Sequence, residues 1–356
     1  MRTSVVITAY NLERFIGDAV RSALEQTRKP DEIIVVNDCS TDATRARLAE
    51  FGEAITVIDQ PVNKGALRAA LLGLSKSKGE VVAFLDGDDL WMPTKLEKCL
   101  ALFEAHPTMT VVSHQHRRVD ADGRPLGIRD DTHENIDSIV RRTSDPLERS
   151  ELFKRSILEK RGYWLGSAYC VRRSAVDLPA FQAWVDALPH PEDVYLDLVL
   201  APFVVLHHPD SMVGLVDESL FDYRIHANNS CNDYRDVERA LRSVRRAYNT
   251  TLAANDLNLR FPDLQIARDG AKRHEGVLDQ YRYLLALYND HRVESLTRFA
   301  KLTAQGVLRG RPLARETARL ASVLVGGPQL FLKLKDRAQS TAEQLREIRR
   351  SLGLLS

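Results

Sequence analysis

The sequence predicts an α/β protein: a mostly parallel sheet flanked by helices, followed by a helical C-terminal extension. Three patterns carry that prediction. Short apolar runs rich in β-branched residues recur through residues 1–100. Stretches with one apolar face at helical spacing separate them, and beyond Asp233 the chain reads as helix nearly throughout. Strand, helix, strand, helix at this spacing is a βαβ series.

The strands are read at Val5-Val6-Ile7, Ile33-Ile34-Val35-Val36, Ile55-Thr56-Val57-Ile58 and Val81-Val82-Ala83-Phe84-Leu85. Such unbroken apolar runs suit strands covered on both faces. Phe15, Ala19, Ala23 and Leu24 give the first helix its apolar face, and Leu67, Ala70, Leu71 and Leu74 give another helix the same. After residue 110 the pattern mixes. Val111 to Val119 reads as strand, Asp122-Gly123 as a turn, and Ser167 to Val171 as a further strand. The helical region is expected to break near Gly306–Gly310 and at Gly326-Gly327-Pro328. The expected division is 1–115, 116–232 and 233–356: two halves of one α/β domain, then the helical extension.

With 356 residues, 44% hydrophobic and 28% charged, the chain can bury a large core. Its net charge of +1 argues against a nucleic-acid partner. The charge is unevenly spread, with about eight more basic than acidic side chains after Asp290. The four cysteines are far apart and form no CxxC pair, which fits a reducing compartment and no zinc site. No apolar run reaches the ~20 residues needed to span a bilayer. The first residues are too polar for a signal peptide, so the chain is expected in the cytoplasm, or peripherally at the inner face of the membrane.

In parallel sheets, ligands bind at the carboxyl ends of the strands. Four polar clusters fall there: Thr8, Tyr10 and Asn11; then Asn37, Asp38, Ser40, Thr41 and Asp42; then Asn63, Lys64 and Gly65; and last the crowded Asp86-Gly87-Asp88-Asp89. Ser40, Thr41 and Asp42 can equally cap a helix. Three adjacent carboxylates repel one another, a cost that a bound cation offsets. Oxygen ligands suit Mg²⁺ or Mn²⁺.

In order and spacing the stretches SVVITAYNLERFIGDAVRSALEQT, DEIIVVNDCSTDAT, NKGALRAALLGLSKSKGEVVAFLDGDDLWMPTKLEKCL, HPEDVYLDL and YRIHANNSC resemble the inverting family-2 glycosyltransferases of GT-A fold. The resemblance implies a nucleotide-sugar donor, UDP-linked in the usual case, and a carbohydrate or glycolipid acceptor. It implies a nucleotide held by Thr8, Ala9, Tyr10, Asn11, Asp38 and Arg68, with Asp86 on the ribose and Asp88 on a diphosphate-bound metal. Asp86 is the second candidate metal ligand, and Gly87 separates the two. Asp193 is implied as the general base, with Glu192 as the alternative. Arg224 and His226 are implied at the departing diphosphate.

Asn37 and Cys39 depart from the residues usual in that family, and Pro191 before the acidic pair is also unusual. No Q-x-x-R-W element of processive synthases occurs, so one sugar per binding event is expected. Trp164, Gly166, Ser167, Trp184, His190 and Tyr195 fall in the acceptor-dependent part, although aromatic residues there serve equally as core. In the tail, Arg311, Arg315 and Arg319, then Leu330, Phe331, Leu332 and Leu334 beside Lys333, Lys335 and Arg337, form basic amphipathic helices. They can lie on an anionic membrane, or pack against the domain or a second copy. Two rivals stand beside a glycosyltransferase. A sugar nucleotidyltransferase needs a Gly-rich loop after the first strand, which reads TAYNLERF here, and an inactive sugar-nucleotide-binding scaffold would not need Glu192 and Asp193.

Overall fold

The computed structural model describes residues 1–159, 165–226, 229 and 236–351, with backbone alone for 311 and 334–351. Trp164, Cys231 and the side chains of Arg311, Leu334, Lys335 and Arg337 lie outside the described residues.

The amino-terminal elements are β1 (Thr3–Ala9), α1 (Ile16–Leu24), β2 (Glu32–Asn37), α2 (Thr44–Ala49), β3 (Thr56–Asp59), α3 (Ala66–Lys76) and β4 (Val81–Asp86). The four strands pair in parallel in the order β3-β2-β1-β4. The residues of β1 and β4 alternate between two cores. Val6, Val82 and Phe84 face Leu67, Ala70, Leu71 and Leu74 of α3. Val5, Ile7, Val81, Ala83 and Leu85 face Ile16, Ala19, Val20 and Ala23 of α1. Period-2 alternation between two covered faces is why these strands read as unbroken apolar runs.

The chain continues through β5 (Leu90–Trp91), α4 (Lys95–Ala105), β6 (Met109–Val119), α5 (Asp131–Arg142) and α6 (Pro146–Leu158). Then come β7 (Cys170–Arg172), α7 (Leu178–Asp186), α8 (Leu200–His207) and β8 (Met212–Arg224). These strands extend the sheet to eight, in the order β3-β2-β1-β4-β7-β6-β8-β5. β7 is antiparallel to both β4 and β6, and β6 runs parallel to β8. The strand read over Ser167 to Val171 is shorter: Gly166–Ala168 form a 3-10 turn, and pairing starts at Cys170. Pro191–Asp193 and Leu196–Leu198 are separate 3-10 turns, and α8 starts at Leu200. Trp184 is core: it stacks on Phe181 and its Nε1 donates to Asp256 at 2.8 Å.

Four helices complete the chain: α9 (Val237–Leu259), α10 (Gln265–Tyr288), α11 (Arg292–Ala304) and α12 (Gly310–Ser351). α12 is two helices joined at a break, with Gly326 and Gly327 out of helical conformation before Pro328. Two compact units result: Met1–His226 with Asn249–His274, and Ala227–Tyr248 with Glu275–Ser356. In the second, Phe331 packs with Leu320, Val323 and Tyr283, and Leu332 is buried with Tyr288 and Val244. Arg319 pairs with Glu316 at 3.1 Å and lies over the Phe331 ring. Among the described residues, no helix is long and apolar enough to cross a membrane.

Candidate active site

The acidic cluster sits where β4 ends beside β1, with Thr8 paired to Asp86. Thr8 Oγ1 donates to Asp86 Oδ1 at 3.3 Å. Gly87 follows because no side chain fits: a carbon placed there would lie 2.8 Å from both the Thr8 carbonyl oxygen and Ile16 Cδ1. Asp86 is exposed at the end of β4. Desolvation by the surrounding protein, with the charge of Asp88 beside it, pushes its carboxyl up to about 7. Asp89 is 1% exposed, and burial followed by the charges of Asp88 and Asp86 raises it well above the carboxylate range.

A buried network supports this crowding. Ser167 Oγ donates to Asp89 Oδ2 at 2.6 Å and accepts the Asp86 amide at 3.0 Å. Its carbonyl accepts from Trp91 Nε1 at 3.0 Å and from the Lys95 ammonium. Lys95 is fully buried, lies 3.9 Å from the Trp91 ring and is lowered by that burial. Asp89 Oδ1 accepts the Arg224 amide at 3.0 Å, which ties the end of β8 to the cluster. His226 then reaches Asp88, with Nε2 3.0 Å from Oδ2, and its ring lies 4.4 Å from that of Phe15. The Arg224 guanidinium sits over the same ring, 3.5 Å from Asp18.

The neighbouring strand-end loops are sewn together. Asn11, at φ 54°, accepts the Thr41 amide on Oδ1 at 2.7 Å, and its own amide donates to Ser40 Oγ at 3.0 Å. Asp42 accepts the Glu13 and Thr44 amides, and Thr44 Oγ1 accepts the Leu12 amide at 2.7 Å. Ser40, Thr41 and Asp42 thus bind loop to loop, and Asp42 also takes the amide of Thr44, the first residue of α2. Ala9 accepts the Asp38 amide at 2.8 Å, while Tyr10 stands 47% exposed beside it. The buried Asp38 carboxylate accepts from Gln60, Lys64 and Gly65, each at 2.8 Å. Burial raises it and those donors oppose the rise. Arg68 on α3 pairs with Asp186 on α7 at 2.6 Å.

Glu192 is exposed, with an oxygen 3.4 Å from His190, and Asp193 is half-buried. Asn249 Nδ2 reaches Asp193 Oδ2 at 3.4 Å, and Thr250 Oγ1 reaches the Asp193 carbonyl at 3.4 Å. The sequence gives Asp89, Ser167 and Lys95 no supporting role: Ser167 falls in the acceptor-dependent part and nothing singles out Lys95. Asn249 and Thr250 come from a helix more than fifty residues downstream, and nothing in local spacing marks them. Asp197 is a further acid by the cleft. A carbon placed on Gly166 would lie 3.9 Å from its Cβ and 3.6 Å from Asp86 Oδ2.

A second titratable group joins β6 to α5. His116, Asp130 and His133 offer ligand atoms within 4.8 Å of one another. Asp130 caps α5, and Arg118 holds its Oδ2 at 2.8 Å. His133 Nε2 faces the His116 carbonyl at 2.7 Å, so Nε2 carries the proton, and Nδ1, 2.9 Å from Asp130 Oδ1, is the ring atom left to accept. Burial acts to raise Asp130, but hydrogen bonds from both histidines and the charge of Arg118 hold it well below its usual range. Its hydrogen bond to Asp130 raises His133, while burial lowers His116.

A parallel nucleotide-type sheet ending in an Asp-x-Asp turn, extended by a mixed sheet and helices, is the GT-A glycosyltransferase fold. Solved structures with that fold match most of the chain. S. aureus TarS 1-349 in complex with UDP-GlcNAc matches with TM-score 0.53 and 17% identity, covering 86% of this chain and 92% of that one. Mannosyltransferase PcManGT from Pyrobaculum calidifontis, in complex with GDP-Man and Mn²⁺, matches with TM-score 0.52 and 17% identity over 93% and 84%. At this identity the likeness is one of fold.

Residues 4–162 match the model for Glycosyl transferase family 2, and this part of the chain is a family-2 glycosyltransferase domain. An uncharacterized Nostoc glycosyltransferase is 32% identical over 45% of this chain and 53% of its own length. The putative teichuronic acid biosynthesis glycosyltransferase TuaG of Bacillus subtilis is 43% identical over 27% and 40%. The Escherichia coli UDP-Glc:alpha-D-GlcNAc-diphosphoundecaprenol beta-1,3-glucosyltransferase WfgD is 35% identical over 28% and 40%. The chain thus spans about half or less of the length of these curated relatives.

Proposed function

We propose that the chain is an inverting, metal-dependent glycosyltransferase. It moves a sugar from a UDP-linked donor to a hydroxyl of a carbohydrate or glycolipid acceptor, in surface polysaccharide or glycoconjugate synthesis. The observation that carries this reading is the crowding of Asp86, Asp88 and Asp89 at the end of β4, with Asp86 and Asp89 both pushed upward. Such a cluster is short of positive charge, and its oxygen donors fit a hard divalent ion. Asp88 and Asp86 would hold Mn²⁺ or Mg²⁺, which when bound neutralises charge on the departing diphosphate.

The other tasks fall to side chains. Thr8, Ala9, Tyr10, Asn11 and Asp38 line the strand ends where the nucleoside binds, and Arg68 stands further along the same edge on α3. His226 orients the Asp88 carboxylate, and Arg224 fixes Asp89 through its amide. Asp193 removes the acceptor proton as the new bond forms, because a neutral sugar hydroxyl is otherwise a poor nucleophile. Glu192 is its alternate. The acceptor-lipid reading draws on WfgD, whose name carries a diphosphoundecaprenol acceptor.

Release of UDP or GDP from a panel including UDP-Glc, UDP-GlcNAc and GDP-Man, with Mn²⁺ or with EDTA, tests this. Metal-dependent release from one donor is the expected result. Release that EDTA leaves untouched overturns the metal, and no release from any donor overturns the enzyme.

A further inference from the structure

The Asn63-Lys64-Gly65 turn does more than start α3. Its amides at Lys64 and Gly65 donate to the two oxygens of Asp38, both at 2.8 Å, and Gln60 Nε2 adds a third bond at 2.8 Å. The Asn63 side chain takes the Gly65 amide as well, at 3.1 Å. The turn is therefore anchored to the end of β2. Its other side abuts the main chain of the acidic turn: a carbon added to Gly65 would lie 2.8 Å from both the Cα and the carbonyl oxygen of Glu192. Gly65 also adopts φ 85°, ψ 160°, a conformation essentially confined to glycine.

The acidic turn is held on a second side by α9. Thr250 Oγ1 accepts the Tyr195 amide at 3.1 Å and donates to the Asp193 carbonyl at 3.4 Å. Thr250 is fully buried. The Pro191–Asp193 turn is thus gripped between Gly65 and Thr250, all within one compact unit.

We infer that Gly65 is a positioning residue: its missing side chain lets the Asp38-anchored turn set the distance of Glu192 and Asp193 from the nucleotide side. The inference rests on the reading of Asp193 as general base. It makes the placement of the base depend on the same carboxylate that lines the nucleotide edge.

Hydrogen exchange read by mass spectrometry on the full chain tests the coupling without catalysis. The reporters are the Asp193 and Val194 amides, bonded to the His190 and Pro191 carbonyls. Gly65→Ala is expected to speed their exchange ~10-fold through local opening. Gly52→Ala is the control for backbone strain alone, since Gly52 has φ 51° with nothing within 4 Å of its Cβ position. It should leave these amides as in the parent. Asp38→Asn adds no atom against Glu192 but swaps one acceptor oxygen for a donor, so it should speed the same amides and decides the matter if Gly65→Ala does not fold.

Kinetics give the second reading. With the donor that the parent consumes, Gly65→Ala should lower kcat for transfer ~10²-fold, the cost of a misplaced catalytic group, while UDP affinity with Mn²⁺ stays within about threefold. Parent-like exchange in both variants, or parent-like kcat in folded Gly65→Ala, overturns the inference. A parent that consumes no donor overturns the proposed activity instead, and the exchange result still decides whether Gly65 holds the acidic turn.

Discussion

The loops after β1 and β2 bind each other through side chains that take main-chain amides: Asn11 with Thr41, Ser40 with Asn11, Thr44 with Leu12, and Asp42 with Glu13. The segment from His190 to Val199 is built otherwise. It has two short 3-10 turns, an exposed Glu192, and supports that come from α3 and α9. The ends of β1 and β2 are thus tied together by residues a few positions from the strands they follow. The acidic turn is positioned from a distance. On the proposed reading, a rigid donor side with a separately supported acidic turn would let one fold keep its donor chemistry while the acceptor side changes.

The largest expected effect breaks the donor side. Asp88→Ala should abolish UDP binding with Mn²⁺ in calorimetry and reduce transfer by ~10³-fold or more, since the ion and diphosphate lose their shared ligand. The fold should survive, because the change removes a charge from a repulsive group. A protein that keeps its UDP affinity would move the metal site elsewhere.

Asp193→Asn should break only the other side. Transfer should fall ~10²-fold, with UDP affinity unchanged, because the amide cannot take the acceptor proton. If Glu192→Gln produces that signature and Asp193→Asn does not, the base is Glu192. If neither slows transfer, the acidic turn is not the catalytic side.

Ser167→Ala sharpens the comparison from beneath the acidic cluster. It strands the buried Asp89 Oδ2 and the part-buried Asp86 amide, at a cost of ~1–3 kcal/mol in stability. Mn²⁺ affinity should weaken ~10-fold as Asp86 loses its support. Unchanged denaturant midpoint and metal affinity together would show that the network is not what holds the turn.

The smallest effect lies away from the cleft, in the Asp130 group. Asp130 is lowered in the fold, so its contribution is complete above its unfolded value of ~3.9 and is lost as pH falls. His133 is raised, so its contribution is complete below ~6.5 and is lost as pH rises through its folded value. Thermal midpoints measured against pH should therefore fall on both sides of that window. His133→Gln should flatten the alkaline limb, and an unchanged limb would assign it to other groups.

Residues 1–100 were legible because each strand and helix there carries its own period, and because the polar residues that follow each strand do their work near where they stand. The breaks at Gly306–Gly310 and Gly326-Gly327-Pro328 were legible for the same local reason. The segment 190–199 was not. Its apolar residues can be read as a helix, whereas the segment forms two 3-10 turns that lie against Gly65 and Thr250. Trp184 shows the reverse case, an aromatic residue whose type fits a sugar contact and whose partners, Phe181 and Asp256, make it core.

By itself, then, the sequence determined the alternating α/β core, the Asp86-Gly87-Asp88 turn at the end of a strand and the acidic pair at 192–193, since hydrophobic period and residue chemistry are local properties. Tertiary structure alone decided that Ser167 and Lys95 sit beneath the acidic turn, that Asp38 is spent on the Lys64 and Gly65 amides, and that α9 reaches back to Asp193. Each of those depends on contacts between residues far apart in the chain, which burial and hydrogen-bond satisfaction select only once the chain has packed.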